Sequence, residues 1–188
     1  ALAGCQSTAQ INAYYAVHQL VRSLLDLPLS PAAATPEGKA AQIERLQSRL
    51  VEQDPAWLLR LPLLGDLLGL PIPDNQATAS FDARLRQEAL TDLILDIIRR
   101  TSQQQPLVVV VEDAHWLDEA SRALIVALAR TVAGLAVMLL LVKRPLDMEQ
   151  DVLAQELDGL PHQHRIHLSE LDTEGTGDLV RRRLGGEV

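Results

Sequence analysis

The sequence has one cysteine, few aromatic residues and no apolar run long enough to cross a membrane. Cys5 has no second cysteine to pair with, so no internal disulfide can form, as is usual in a reducing cytoplasm. Aromatic residues make up 3% of the chain, which leaves few surfaces for stacking on single-stranded nucleic acid. The longest apolar run, Leu135 to Val142, is far shorter than the roughly 20 residues of a membrane helix. No signal peptide is evident, and we expect a cytoplasmic protein without membrane contact.

Positive charge is also scarce. The 188 residues carry a formal net charge of -8, which argues against a broad phosphate-binding surface and against direct nucleic-acid binding. The basic run Arg181–Arg183 is most simply a solvated helix face. The chain is 47% hydrophobic and 22% charged, which is typical of a globular domain. It begins ALAGCQS without a methionine, and we interpret it as a piece of a longer protein.

The first half of the chain is predicted to be mainly helical after a short strand end within residues 1–8. Apolar spacing of three and four residues predicts helices over 10–27, 37–53, 63–69 and 80–102. Ser80 is the predicted N-cap of the last of these helices.

At Leu107 the residue pattern changes from helical apolar spacing to a continuous apolar run. Leu107–Val111 is a continuous apolar run of one leucine and four β-branched valines, which predicts a strand with helices on both faces, as in parallel sheets. A helix from Asp118 to about Val132, a strand within Leu135–Val142, a helix near 147–157, a strand over 164–171 and a helix over 173–184 follow. Right-handed crossovers would place these strands in one largely parallel sheet.

The stretch PLVVVVEDAHWLDEAS places two adjacent carboxylates, Glu112 and Asp113, at the end of the first of these strands. Ligands of open α/β sheets bind beyond the carboxyl ends of the strands. Mg²⁺ prefers hard oxygen ligands and takes one or two protein carboxylates with water and phosphate. A second carboxylate on the other side of the extended chain can orient a water molecule. For VVVVED alone, acids that merely end a strand and cap the next helix are an equally good explanation.

The residues that follow, AHWLDEAS, distinguish this segment from an ordinary strand that ends in acidic residues. The segment resembles the Walker B region of P-loop ATPases, in particular signal-transduction (STAND) ATPases of the AAA-like branch in bacterial LuxR-type regulators and cyclase-like proteins. The matching positions are Val108–Val111, Glu112, Asp113, His115, Trp116, Asp118 and Ser121. The likeness is strong over residues 80–188 and loose before them.

The resemblance implies particular roles. Glu112 would hold Mg²⁺, directly or through water, and Asp113 would position the attacking water. Arg144 would contact the γ-phosphate of ATP, although a surface salt bridge explains this arginine almost as well. His115 and Trp116 are better explained by packing than by chemistry, and Asp118 most simply caps the next helix.

The resemblance also implies a missing part. A P-loop needs G-x-x-x-x-G-K-[ST], and the single Gly-Lys pair, Gly38-Lys39, lacks that context. The implied fold is therefore a partial P-loop NTPase of the ASCE type, an α/β three-layer sandwich that lacks its first strand and its P-loop. Residues 1–172 would form this partial core, with 1–79 as a mainly helical insert or linker region and 80–172 as the Walker B and sensor half. Residues 173–188 would begin a helical domain.

Two functional hypotheses remain. The chain is part of a Mg-ATP-dependent switch that controls an output domain of the same polypeptide, or it is a non-hydrolysing interaction scaffold. In either case we expect the isolated chain to be inactive and to bind no nucleotide tightly. We also expect unpaired sheet edges that favour self-association.

Overall fold

The computed structural model describes residues 1–5, 14–27, 35–145 and 151–184. Their elements, in chain order, are β1 (Leu2–Gly4), α1 (Tyr15–Leu24), α2 (Pro36–Gln53), α3 (Leu61–Leu68), α4 (Ala83–Gln104), β2 (Leu107–Glu112), α5 (Glu119–Thr131), β3 (Val137–Leu141), α6 (Val152–Leu157) and α7 (Thr173–Leu184). Short 3-10 turns lie at Pro55–Arg60, Ala114–Trp116 and Val132–Gly134. Within these ranges, no helix combines the length and apolarity needed to span a bilayer.

The three strands form one parallel sheet in the order β1-β2-β3. Residues Leu2, Ala3 and Gly4 of β1 pair with Val110–Glu112, and Leu107–Val111 of β2 pair with Val137–Leu141. The predicted α/β class, with its parallel sheet and its strands at 107–111 and within 135–142, is confirmed. The predicted strand end within residues 1–8 is β1.

The described helices cover one face of this sheet. Each strand lies beside its predecessor in the same direction, and right-handed connections then place every crossover on the same face. Helices α1, α4 and α5 contact one another in this layer. On the other face, Val108 of β2 and Met138 and Leu140 of β3 are exposed. The expectation that helices cover both faces of β2 is therefore wrong for the described part of the chain, because its crossovers all run on one side.

A single cluster of buried side chains joins both halves of the chain. Its members come from all three of β1, β2 and the 3-10 turn at Pro55–Arg60 and from helices α1 to α6, and they include Leu20, Leu50, Leu64, Ile94, Val109, Leu124 and Leu128. Residues 1–79 therefore share a core with residues 80–157. The predicted boundary between 172 and 173 stays a prediction.

Helix starts are set by short polar side chains. Helix α4 begins at Ala83, and its N-cap is Asp82, whose Oδ1 accepts a hydrogen bond from the Leu85 amide at 2.8 Å. The prediction of Ser80 as the cap is wrong, because the Phe81 amide still belongs to a turn, donating to the Thr78 carbonyl at 3.0 Å. A carboxylate at position 82 is the first side chain beyond that turn that can cap the helix.

The predicted strand over residues 164–171 does not form. These residues are neither helix nor strand, and Ile166 and Leu168 are 81% and 90% exposed. Alternating polar and apolar residues favour a strand only where a neighbouring strand completes the hydrogen bonds. The described sheet ends at β3 and does not reach them. Helix α7 then begins at Thr173, as predicted.

Candidate functional site

The candidate site lies at the carboxyl end of β2, in a segment we call the acidic turn (residues 112–118). Its start is fixed from both sides by backbone hydrogen bonds. The Cys5 amide donates to the Glu112 carbonyl at 3.0 Å, and the Ala114 amide donates to the Val142 carbonyl at 2.8 Å. The turn therefore extends the sheet at the edge where open α/β sheets bind ligands.

Asp113 adopts a left-handed backbone conformation, with φ 52° and ψ 38°. The expectation that this carboxylate lies on an extended chain is wrong, because the strand ends at Glu112. A left-handed residue other than glycine costs roughly 1 kcal/mol or more, although Asp tolerates it better than most. The Trp116 amide donates to the Asp113 carbonyl at 2.8 Å and closes the turn. Strain of this kind is common at functional sites.

The structure places the three residues predicted to act on ATP and Mg²⁺ at one end of the sheet. Glu112 and Asp113 are exposed at the end of β2, and Arg144 is exposed three residues after β3. No carboxylate within the described ranges forms an ion pair with Arg144, so the proposed surface salt bridge is not seen there. Two exposed carboxylates suit Mg²⁺, which needs only one or two of them. The described residues contain no group of three or more His, Cys, Asp or Glu able to hold a metal.

Asp118 is the best-connected carboxylate of the acidic turn. It is buried, and its oxygens accept hydrogen bonds from the Ser121 amide at 2.8 Å and the Ser121 hydroxyl at 2.6 Å. The predicted N-cap of α5 is confirmed. Oδ1 also accepts from the Tyr14 amide at 3.0 Å, at the start of α1. Because Tyr14 lies 104 positions away, no local sequence pattern could have identified this contact.

His115 and Trp116 occupy the middle of the turn. Their ring centroids are 5.0 Å apart, with an angle of 42° between the ring planes. Trp116 packs against the core. Both ring nitrogens of His115 are shielded from solvent and have no hydrogen-bond partner, which is unusual for buried polar atoms. These contacts agree with the packing role expected for both residues.

Cys5 lies buried beside the turn, at the end of β1. Burial, followed by the negative charges of Asp118 and Asp113, raises the pKa of its thiol from 9.0 to about 11. The carboxylates of Asp118 and Asp113 therefore disfavour the thiolate form of Cys5 electrostatically. Since the thiolate is the reactive form, Cys5 is unsuited to nucleophilic chemistry at neutral pH.

A cavity of about 350 Å³ adjoins the turn on the side of α5 and α6. It was not predicted from the sequence. Most of the charged side chains that line it form ion pairs. Lys143 contacts Asp151, and Nη1 of Arg122 lies 3.3 Å from Oε2 of Glu156, which is next to the cavity. Burial, then the charge of Arg165, lowers the pKa of the Lys143 ammonium. Glu112, Asp113 and Arg144 do not line this cavity.

The parallel sheet and the acidic turn at its edge agree with what a comparison with known protein families finds. A family profile described as AAA ATPase domain matches residues 3–142. The chain therefore belongs to the AAA ATPase domain family. The match spans β1 to β3 and the acidic turn, and it ends two residues before Arg144.

A relative from Rhizobium meliloti (strain 1021), described as an uncharacterized protein, is 28% identical over 167 residues. The alignment covers 89% of this chain and 15% of that protein. The chain therefore spans only a small part of the length of the curated relative it matches. No solved structure matches the chain.

Proposed function

We propose that the chain is part of a cytoplasmic bacterial signal-transduction ATPase of the STAND type. The acidic turn would be its Walker B element, and ATP with Mg²⁺ would be the ligands of the intact protein. One observation carries the proposal: two exposed, adjacent carboxylates lie at the carboxyl end of a strand of a parallel sheet, in a chain of the AAA ATPase domain family. The strained backbone of Asp113 supports it.

Each of the three residues has a proposed role. Glu112 holds Mg²⁺, directly or through water, because its carboxylate ends the strand and supplies hard oxygens. Asp113 orients and deprotonates the attacking water, for which an exposed carboxylate within hydrogen-bond reach is needed. Arg144 contacts the γ-phosphate from the neighbouring strand. When bound, Mg²⁺ neutralises charge on the phosphates.

The proposed output is conformational. ATP binding and slow hydrolysis would favour two different arrangements of the domain and so control other domains of the same polypeptide, such as a cyclase or a DNA-binding domain. The length of the R. meliloti relative leaves room for such domains in that protein.

The test uses the full-length protein with Asp113→Asn. This change keeps the size of the side chain and removes the base, so turnover should fall by roughly 100-fold or more while ATP binding persists. Glu119→Gln, an exposed carboxylate six positions further on, is the matched control. Steady-state hydrolysis and equilibrium ATP binding are the two measurements. Equal turnover for wild type and Asp113→Asn would contradict the assignment.

The isolated chain should bind Mg-ATP weakly or not at all. Its 188 residues contain no G-x-x-x-x-G-K-[ST] segment, whose backbone amides and lysine hold the phosphates. Calorimetric titration of Mg-ATP into the chain should give no measurable heat of binding. Micromolar affinity would show that another part of the chain holds the phosphates.

The second candidate is a non-hydrolysing interaction scaffold that keeps the fold, and the absence of a G-x-x-x-x-G-K-[ST] segment from the full-length protein would favour it. The Asp113→Asn experiment separates the two. A scaffold has no turnover to lose and signals equally well with either residue. A switch loses turnover and changes its output.

A further inference from the structure

Two cations follow one another after β3, and they lie in different surroundings. Lys143 lines the cavity beside α5 and α6, whereas Arg144 does not. The side chain of Lys143 is 28% exposed, while Arg144 is an exposed residue. An ammonium and a guanidinium can both bind phosphate, so the sequence alone leaves open which of the two would contact ATP. The surroundings of each side chain distinguish them.

Asp151 holds Lys143 on the side of α6. Nζ of Lys143 donates a hydrogen bond to Oδ2 of Asp151, and Oδ1 of the same carboxylate accepts one from the Ala154 amide at 3.1 Å. Asp151 is the N-cap of α6 and is only 9% exposed. A buried side chain that is bonded through both of its oxygens is locked in place. Lys143 is thereby tied to the first turn of α6.

Helix α6 is a firm anchor for this ion pair. Its Leu153 and Leu157 belong to the buried core, and the helix packs against α5. Arg122 of α5 forms a further ion pair with Glu156 of α6, in which Nη1 and Oε2 are 3.3 Å apart. Lys143 is therefore held by an element that is itself part of the core.

The backbone on both sides of Arg144 is restrained as well. Val142 donates a backbone hydrogen bond to β2 at 2.9 Å and accepts one from the acidic turn at 2.8 Å. Pro145 follows Arg144, and a residue before proline favours an extended conformation. Successive side chains of an extended chain point to opposite sides. Holding Lys143 against α6 therefore directs Arg144 away from α6.

The ion pair also decides which cation is available to an anion. Glu112, Asp113 and Arg144 are all exposed, and all three lie outside the cavity that Lys143 lines. In the part of the chain that the structure describes, Lys143 has a carboxylate partner in Asp151, and Arg144 forms no ion pair with a carboxylate. A phosphate can thus bind the guanidinium without first breaking an ion pair.

We propose that Asp151 is a positioning residue of the ATP site. By holding Lys143 against α6, it leaves Arg144 as the cation that is directed to the γ-phosphate. Asp151 acts through the backbone that Lys143 and Arg144 share, and its role rests on the function proposed above for Arg144.

Equilibrium binding of Mg-ATP and of Mg-ADP to the full-length protein tests this role. The variant is Asp151→Asn, because asparagine still caps α6 but no longer carries the charge that holds Lys143. Only ATP has a γ-phosphate, so a misplaced Arg144 should lower the affinity for ATP by about tenfold and leave the affinity for ADP unchanged. Equal losses for the two nucleotides would mean that Asp151 is merely structural, and would overturn the proposal.

Two further variants serve as controls. Lys143→Arg keeps a cation that can pair with Asp151, and it should retain the ATP affinity of the wild type. Asp158→Asn is matched to Asp151→Asn, since Asp158 lies at the other end of α6 and pairs with Arg165 at 3.3 Å, with both side chains more than half exposed. It should leave the affinities for both nucleotides unchanged. A loss of ATP affinity in Asp158→Asn as large as that in Asp151→Asn would contradict a specific role of Asp151.

Arg144→Gln shows whether Asp151 acts through Arg144. This variant should lower the affinity for ATP and spare that for ADP, and the addition of Asp151→Asn should then cause no further loss. A full additional loss, or wild-type ATP affinity in Asp151→Asn alone, overturns the role of Asp151 and leaves that of Arg144 intact. Unchanged ATP affinity in Arg144→Gln overturns both roles, so the two failures are distinguishable.

The ion pair itself can be tested without nucleotide, by urea denaturation of the isolated chain. Lys143→Met and Asp151→Asn should each lower the urea concentration at the midpoint of unfolding. The double variant should unfold no earlier than the less stable single variant, because both changes remove the same interaction. Fully additive shifts of the midpoint would show that the two side chains do not interact in solution, and would overturn the proposal.

Discussion

The two faces of the sheet carry the same kinds of side chain in different surroundings. Val109 and Val111 of β2 are fully buried, while Val108 on the same strand is half exposed. The covering layer of α1, α4 and α5 causes the difference, because each strand is added on the same side and the crossovers follow one face. Burial in this sheet is therefore decided by chain order as much as by residue type.

A pair of identical substitutions on adjacent residues gives the largest expected difference between the faces. Val109→Ala removes fully buried methyl groups and should lower the free energy of unfolding by about 2 kcal/mol or more. Val108→Ala should lower it by less than about 1 kcal/mol, since half of that side chain already contacts water. Urea denaturation at low protein concentration measures both. Equal losses would mean that a layer covers both faces in solution.

The next effect concerns how the covering layer is held together. Asp118 accepts hydrogen bonds at the start of both α1 and α5, from Tyr14 and Ser121. Asp118→Ala removes a cap and leaves the Tyr14 amide without this partner, which should reduce stability by about 1–3 kcal/mol. Glu119→Ala, one position further on and exposed, is the control and should change it by less than about 0.5 kcal/mol. A similar loss for both variants would show that Asp118 acts only through its charge.

Periodicity predicted the elements of the covered face well. The strands at β2 and β3, the helix capped by Asp118 and most of the described helices follow from local patterns of apolar residues and caps. These signals depend on neighbours in sequence, and such neighbours remain neighbours in the fold. The family resemblance rested on the same local stretch, and the profile match to residues 3–142 confirms the ATPase family.

Features that depend on distant residues were not predictable in this way. The side of the sheet that stays exposed depends on the path of every crossover, and residues 164–171 lack the neighbouring strand that their alternation requires. The Tyr14 contact of Asp118 joins residues 104 positions apart. The left-handed backbone of Asp113 is a local feature, but many aspartates follow strands without it.

Chemical reactivity gives a separate comparison, between a thiol on each face. Cys5 continues β1 in the alternation of Ala3, so it lies on the covered side, and both residues are buried. Its pKa of about 11, against the usual 9.0, reduces the thiolate fraction at pH 8 by about 100-fold. Iodoacetamide should therefore modify Cys5 far more slowly than the exposed thiol of Met138→Cys in a Cys5→Ser background. Similar rates at pH 8 would show that the covering layer opens readily over Cys5.

The same raised pKa makes stability depend on pH in one direction. Below pH 9 both the folded and the unfolded chain keep the thiol proton, and the stabilising difference is fully present. Between pH 9 and about 11 the unfolded chain loses that proton while the folded chain retains it, so stability falls as pH rises. Cys5→Ser should flatten this part of the curve of unfolding free energy against pH. If the slope of unfolding free energy against pH is unchanged in Cys5→Ser, other groups cause the alkaline loss of stability. Cys5 would then be less deeply buried on the covered face than Val109.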